Sequence, residues 1–232
     1  MPECAPRGLV VFDLDNTLID RDRFFGEWAE AFVRDRHLDP KAAVEVLRAA
    51  DRDGMTPRDG FFEEVRSRLA LSTPVADLVQ LYWRDQLGRC TCDPETIAGT
   101  QRLRETGYKV GIATNGGARQ IEKIKACGLD ELVDAVCVSR LVRFAKPDPR
   151  IFRAVADRCG TSLEGAWVVG DRPDSDIAGA ISVGARSVWI RRGQVWSDAD
   201  FHPTLIADSA ADAVGLILAA DVRASSDAEQ LS

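Results

Sequence analysis

The 232-residue sequence contains only two histidines, His37 and His202. A Ser-His-Asp triad, or a zinc site built on several imidazoles, is therefore hard to assemble. Cysteine is also sparse: six residues are scattered along the chain, and the nearest pair, Cys90 and Cys92, forms only a C-x-C. Zinc and redox sites usually require paired C-x-x-C spacing, so we expect free thiols and no disulfide framework.

The sequence also lacks an excess of positive charge and a long apolar run. Its net charge of −7 opposes attraction to nucleic acid or to an anionic membrane surface. No apolar run reaches the roughly 18 residues of a membrane span, and the first residues lack the basic-then-apolar pattern of a signal peptide. We therefore expect a cytoplasmic monomer or homodimer without nucleic-acid or membrane partners.

Short apolar runs indicate buried strands at residues 9–12, 109–114, 135–138, 167–170 and 187–190. Segments of helical period lie between or beside them, at residues 94–106, 119–127, 149–159 and 175–183. Continuous apolar runs of this length are typical of strands buried on both faces. Their alternation with helices predicts an α/β fold with a doubly wound parallel sheet.

The stretch after the first strand has a different pattern. Between about residues 21 and 87 there is no convincing strand, and aromatic residues recur at helical spacing, as in Phe24, Phe25, Trp28 and Phe32. Aromatic stripes of this kind usually form a core. The predicted organisation is an α/β core from residues 1–19 and 88–221, a small helical domain inserted at 20–87, and a flexible tail at 222–232, where small and polar residues lack an apolar period.

Polar residues follow the ends of the predicted strands. The ordered set comprises Asp13-Leu14-Asp15-Asn16-Thr17, Thr114-Asn115-Gly116, Lys146-Pro147-Asp148, and Gly170-Asp171 with Asp176. Each element alone has an ordinary explanation as a turn, a helix cap or a solvated loop. Ligands bind at the carboxyl edge of an open parallel sheet, and four such elements in order at one edge favour a catalytic site.

This ordered set resembles the four motifs of the haloacid dehalogenase-like superfamily. The resemblance covers the predicted core, and the helical insert resembles the family's small α-helical cap in position. It implies a magnesium-dependent phosphatase, a phosphoric monoester hydrolase acting on a small phosphorylated metabolite such as a sugar phosphate or a nucleotide. In this scheme Asp13 is the nucleophile that becomes an aspartyl phosphate, and Asp15 donates and then accepts the proton.

The resemblance also assigns the remaining site residues. It implies that Mg²⁺ is held by Asp13, Asp171 and the backbone carbonyl of Asp15, with Asp176 supporting them; Mg²⁺ prefers oxygen ligands. Lys146 and Thr114 are implied to orient the phosphoryl oxygens, since an anionic nucleophile approaching a phosphate needs countercharge. Backbone N–H groups complete the predicted phosphate site at Leu14, Asp15, Asn115 and Gly116.

Other functions share part of this pattern. A phosphomutase of the same superfamily would carry every motif, whereas haloacid dehalogenases lack the second aspartate, which disfavours halide chemistry. A phospho-receiver or binding module without turnover also places acids, a threonine and a lysine at a sheet edge, but receivers are smaller and have adjacent acids after the first strand. Arg140, Arg143 and Arg172 lie near the motifs without an assigned role, and the substrate stays open.

Overall fold

The computed structural model describes residues 6–230, which form two compact units. One unit comprises the chain up to Ile19 and from Thr91 onward, and the other is Asp20–Cys90. The sequence placed the second boundary after residue 87, but the helix that crosses this position continues to Arg89. Among the described residues, no helix combines the length and the apolar character that crossing a bilayer would require.

The first unit is built on a six-stranded parallel sheet, which confirms the predicted α/β fold. The strands are β1 (Gly8–Phe12), β2 (Tyr108–Thr114), β3 (Ala135–Val138), β4 (Trp167–Gly170), β5 (Arg186–Ile190) and β6 (Leu205–Ala207). Their order is β3-β2-β1-β4-β5-β6. The sequence analysis missed β6, because three residues are too short to show a strand pattern.

The second unit consists of four helices around an aromatic core. They are α1 (Arg21–Asp35), α2 (Pro40–Asp51), α3 (Arg58–Arg68) and α4 (Val75–Arg89). The side chain of Trp28 is 2% exposed and packs edge-on against Tyr82, with ring centroids 4.8 Å apart. Phe61 and Phe62 lie in the same cluster. The aromatic stripe of the sequence therefore forms a core.

The helices that cover the sheet are α5 (Pro94–Glu105), α6 (Arg119–Ala126), α7 (Ser139–Val142), α8 (Pro149–Cys159), α9 (Ala178–Ser182) and α10 (Ala210–Gln230). Two of them, α5 and α8, begin with an Asp-Pro pair, as α2 does. The aspartate accepts a backbone N–H of the first turn, and proline fits the first helical position because that residue needs no intrahelical donor. Asp148, which follows the Lys146-Pro147 pair, is therefore the N-cap of α8.

The C-terminal helix extends into the segment predicted as a tail. The backbone of α10 is helical as far as Gln230, within the segment from residue 222 for which the flexible tail stays a prediction, and the last two residues lie outside the described part of the chain. Alanine and glutamate in this segment have high helix propensity, so a helix anchored by packing can propagate through it. A lack of apolar period shows only that a segment makes no core, not that it is unstructured.

The position of β1 brings the sequence motifs together. β1 pairs with β2 on one side and with β4 on the other. The chain fills the sheet outward through β2 and β3 before it returns to β4, so the strand order reverses between β1 and β4. The carboxyl ends of β1, β2 and β4 lie at the same edge, beside the crevice that such a reversal opens.

We expect Trp28→Ala to lower the free energy of unfolding by about 3–5 kcal/mol, because it empties a large volume in a close-packed core. Met55→Ala is the control, since Met55 is 64% exposed, and its effect should stay within about 0.5 kcal/mol. Denaturant unfolding of both variants measures the difference. Equal effects would contradict the assignment of Trp28 to the core.

Candidate active site

Asp13 and Lys146 form the centre of the site. Asp13 follows β1, and its backbone N–H donates to the carbonyl of Val169 in β4, at 2.8 Å. Its side chain is buried, and Oδ1 accepts a hydrogen bond from Lys146 Nζ at 2.5 Å. Burial acts to lower the pKa of Lys146, but the Asp13 and Asp176 carboxylates outweigh it and raise that pKa above its ordinary value. The lysine is therefore a permanent cation beside Asp13.

Three carboxylates meet at this position. Asp13, Asp171 and Asp176 each offer an oxygen, and these oxygens lie within 4.8 Å of one another. Lys146 Nζ also approaches Asp176 Oδ1 at 2.7 Å. Among the described residues, the buried Oδ1 of Asp171 has no hydrogen-bond partner. A buried, unsatisfied carboxylate oxygen beside two other acids is a donor set that suits a divalent cation with oxygen ligands.

Without such a cation, the ionised forms of these acids are disfavoured. Burial raises the pKa of Asp13 to about 7, and the neighbouring Asp176 and Asp15 act in the same direction against Lys146. Burial likewise raises the pKa of Asp171 to about 8, with added repulsion from Asp13 and Asp176. A bound divalent cation would reverse both effects by stabilising the ionised forms.

The local backbone places Asp176 among these acids. Residues Pro173–Ile177 form a turn of π-helix before α9, where the sequence predicted a helix from residue 175. The turn brings Asp176 back over Gly170, and Asp176 Oδ2 accepts the N–H of Arg172 at 3.0 Å. A Cβ at position 170 would lie 2.3 Å from Asp176 Cγ. Only glycine at position 170 leaves room for this approach.

The Asp15 carboxylate has a different environment from that of Asp13. Lys123 Nζ in α6 lies 2.5 Å from Asp15 Oδ1 and 2.6 Å from Oδ2. Gln120 donates from Nε2 both to Asp15 Oδ2, at 2.8 Å, and to Thr114 Oγ1, at 2.7 Å. The side chain of Asp15 therefore stands apart from the three-acid group, while the assignment of its backbone carbonyl to a metal stays a prediction.

The predicted phosphate-binding residues lie around this centre. The amide of Asn115 donates to the Lys146 carbonyl at 3.1 Å and accepts the Lys146 N–H at 2.8 Å, which fixes the loop that carries the lysine. The Gly116 N–H donates to Ser139 Oγ at 3.0 Å, so this group is already engaged by the protein. Leu14 is fully buried, so the contact of its backbone N–H with a phosphate stays a prediction.

The three arginines without an assigned role lie on the surface of the first unit or close to it. Arg140 and Arg143 are exposed in α7 and at its end. Arg172 is half-buried and pairs with Asp174, at 3.1 Å. None of these positions identifies a substrate group.

Lys123 and Gln120 were not predicted from the sequence. Both lie on the face of α6 that is buried, together with Ile124. The signal was present but weak: a lysine and a glutamine three residues apart occupied positions where an amphipathic helix usually buries apolar side chains. Ser139, which accepts the Gly116 N–H, was likewise not predicted from the sequence.

Residues 8–184 match the haloacid dehalogenase-like hydrolase family. The chain belongs to this family. The membership predicted from the four motifs is thus confirmed, and the shared region spans both the sheet edge and the helical unit.

Relatives of this haloacid dehalogenase-like (HAD-like) hydrolase include phosphatases. The chain is 39% identical to a glyceraldehyde 3-phosphate phosphatase of Pyrococcus furiosus over 80% of its own length and 81% of the relative's. It is 35% identical to a phosphoserine phosphatase of Thermus thermophilus, with 80% and 76% covered. The fold matches that of the magnesium-bound HAD-hydrolase YfnB from Bacillus subtilis with a TM-score of 0.72 at 20% identity, covering 90% and 98% of the two chains. The family and its phosphatase members support a phosphoric monoester hydrolase.

The raised pKa of Asp171 predicts a pH-dependent stability of the metal-free protein. From its ordinary value of 3.8 up to about 8, the folded chain holds a proton that the unfolded chain has lost, so stability falls as pH rises through this window. In excess chelator, Asp171→Asn should therefore raise the unfolding temperature more at about pH 8 than at about pH 5. Thermal unfolding at both pH values measures this difference.

Asp174→Asn is the matched control, because Asp174 is an exposed acid three residues away. It should show no comparable gain. Added Mg²⁺ should stabilise the unmodified protein and have less effect on Asp171→Asn. A pH-independent effect of Asp171→Asn, or equal stabilisation of both proteins by Mg²⁺, would contradict the assignment of Asp171 to a metal site.

Proposed function

We propose that the protein is a magnesium-dependent phosphatase that hydrolyses a small phosphorylated metabolite through a phosphoryl group on Asp13. The observation that carries this proposal is the environment of the Asp13 carboxylate. It bonds to a permanently charged lysine on one side and lies beside the oxygens of Asp171 and Asp176 on the other. A carboxylate is a suitable nucleophile for an anionic phosphate only where positive charge offsets their repulsion.

Asp13, Asp171 and Asp176 are the residues that would hold the ion, directly or through supporting bonds. Bound Mg²⁺ would neutralise part of the negative charge on the phosphate and on the acids. Lys146 supplies the second positive charge from the protein itself. Thr114 lies at the end of β2, and its Oγ1 accepts a hydrogen bond from Gln120 Nε2. The hydroxyl proton of Thr114 is therefore available for donation to a phosphoryl oxygen.

The reaction has two steps. In the first, an Asp13 oxygen attacks phosphorus, the bond from phosphorus to the leaving oxygen breaks, and Asp15 gives its proton to that oxygen. In the second, Asp15 takes a proton from water as the water oxygen attacks phosphorus. The Asp13–phosphorus bond then breaks, releasing phosphate and restoring the Asp13 carboxylate. One acid can serve both steps because the first leaves it as a base.

Asp13→Asn and Asp15→Asn separate these roles. Asp13→Asn lacks the attacking oxygen, so it should form no covalent adduct and release no phosphate. Asp15→Asn retains the nucleophile, and an aryl phosphate departs with little protonation, so this variant should phosphorylate Asp13 and then stall. Intact mass spectrometry after rapid quench detects the adduct. A phosphoryl group on any residue other than Asp13, or wild-type turnover by Asp15→Asn, would overturn the assignment.

The substrate class can be tested with a panel of phosphorylated metabolites. Relatives named for glyceraldehyde 3-phosphate and phosphoserine make three-carbon phosphates the first compounds to test, beside sugar phosphates and nucleotides. Phosphate release should require Mg²⁺ and disappear in excess chelator, because Lys146 is then left to offset the charge of the three acids and of the phosphate. Full turnover in chelator would contradict the metal role of the three acids.

A phosphomutase would use the same residues and differ only in the acceptor. Product analysis distinguishes the two, since a mutase returns the phosphoryl group to a sugar hydroxyl rather than to water. We propose that the helical unit, Asp20–Cys90, selects the substrate as the cap of this hydrolase. Its buried aromatic side chains serve packing, so selection would depend on its exposed residues.

A further inference from the structure

Lys123 is a buried lysine to which none of the four sequence motifs gives a role. It lies in the middle of α6, is 4% exposed, and contacts both oxygens of Asp15, at 2.5 and 2.6 Å. Removing an ammonium group from water costs several kcal/mol unless a charge partner and hydrogen bonds offset it. Apolar side chains, which usually occupy the buried face of a helix, would avoid this cost. A lysine at position 123 therefore indicates that its charge has a role.

Gln120, one turn earlier on the same helix, adds a second constraint. Its amide bonds to Asp15 Oδ2 and to Thr114 Oγ1, so it joins the predicted proton carrier to the predicted phosphate-binding hydroxyl. Gly116 makes room for it, since a Cβ at that position would lie 2.9 Å from Gln120 Cγ. Lys123 and Gln120 together fix the direction of both Asp15 oxygens relative to β2.

We infer that Lys123 is a positioning residue that holds the Asp15 side chain in the direction from which it takes a proton from the attacking water. The inference rests on the proposed function, in which Asp15 acts in both steps. The Lys123 ammonium group contacts both Asp15 oxygens, so it fixes the direction of this side chain for the step in which water attacks the Asp13 phosphate.

An ion pair that only stabilises the fold would have different consequences. Buried ion pairs often add little net stability, because desolvation offsets the attraction. Loss of a purely structural pair would slow the phosphorylation and the dephosphorylation of Asp13 equally. It would do so whether or not residue 15 can transfer protons. Loss of a positioning contact would act through Asp15 alone and fall on the step that needs the base.

The test compares Lys123→Met in two backgrounds, with Mg²⁺ present and an aryl phosphate as substrate. With Asp15 intact, Lys123→Met should release one equivalent of phenol in a burst, and the steady-state kcat should then be lower by about tenfold or more. The phosphoryl adduct on Asp13 should persist in quenched samples. In the Asp15→Asn background the same substitution should change the slow residual rate of phosphate release by less than about twofold, because the contact has lost its function.

Lys109→Met is the matched control, since Lys109 also pairs with an acid, Asp134 at 3.0 Å, away from the proposed site residues. It should keep the wild-type kcat and show no lasting adduct. Lys123→Gln is measured beside Lys123→Met, because its amide can still bond to Asp15 if the methionine variant does not fold. Circular dichroism establishes that each variant is folded.

The outcomes separate the inference from the proposed function. An equal loss of rate in both backgrounds, or a slow first step without a burst, would overturn the positioning role while the phosphatase stands. A folded wild-type protein that releases no phosphate and forms no adduct with any ester tested would overturn the proposed function, and the inference with it.

Discussion

The contact between the Lys146 ammonium group and the buried carboxylates is the interaction on which the site depends. Asp13 and Asp176 both lie within 2.7 Å of this one nitrogen, and Asp171 lies beside them with an Oδ1 that has no hydrogen-bond partner among the described residues. Three anionic groups and one lysine leave an excess of negative charge in a desolvated place, where repulsion is strong. Burial first, and then repulsion among the acids, raises the pKa of Asp13 and of Asp171; a bound divalent cation would oppose both effects.

The fold supplies what this charge arrangement requires. β1 lies in the interior of the sheet, so the residue after it is desolvated, and the reversal of strand order beside β1 brings Asp171 to the same edge. The missing side chain at Gly170 and the widened turn after it admit Asp176. The reciprocal bonds between Asn115 and the backbone of Lys146 hold the lysine loop against the end of β2. Each of these features involves only neighbouring residues, but all of them lie at the same edge of the sheet.

The sequence was sufficient for the parts of the structure that depend on local pattern. Apolar runs located five of the six strands, and the polar residues at their ends located the candidate site, because parallel strands bring their carboxyl ends together. It was insufficient for β6, which has only three residues, and for the helical extension of α10 beyond residue 221. It also missed Lys123, since the direction of a side chain on a helix toward a distant acid depends on how the helix packs on the sheet, which periodicity does not encode.

The two acids of the first motif illustrate why tertiary contacts decide chemical roles. Asp13 and Asp15 are separated by one residue, yet the chain turns between them, and each meets a lysine from a different element. Lys146 shares its charge between Asp13 and Asp176, whereas the Lys123 nitrogen contacts both oxygens of Asp15, whose side chain is also more exposed. One carboxylate thus lies beside two other acids and a lysine, and the other lies in a hydrogen-bond network that leads to Thr114. Identical residue types two positions apart thus acquire distinct environments, as the proposed roles of nucleophile and proton carrier require.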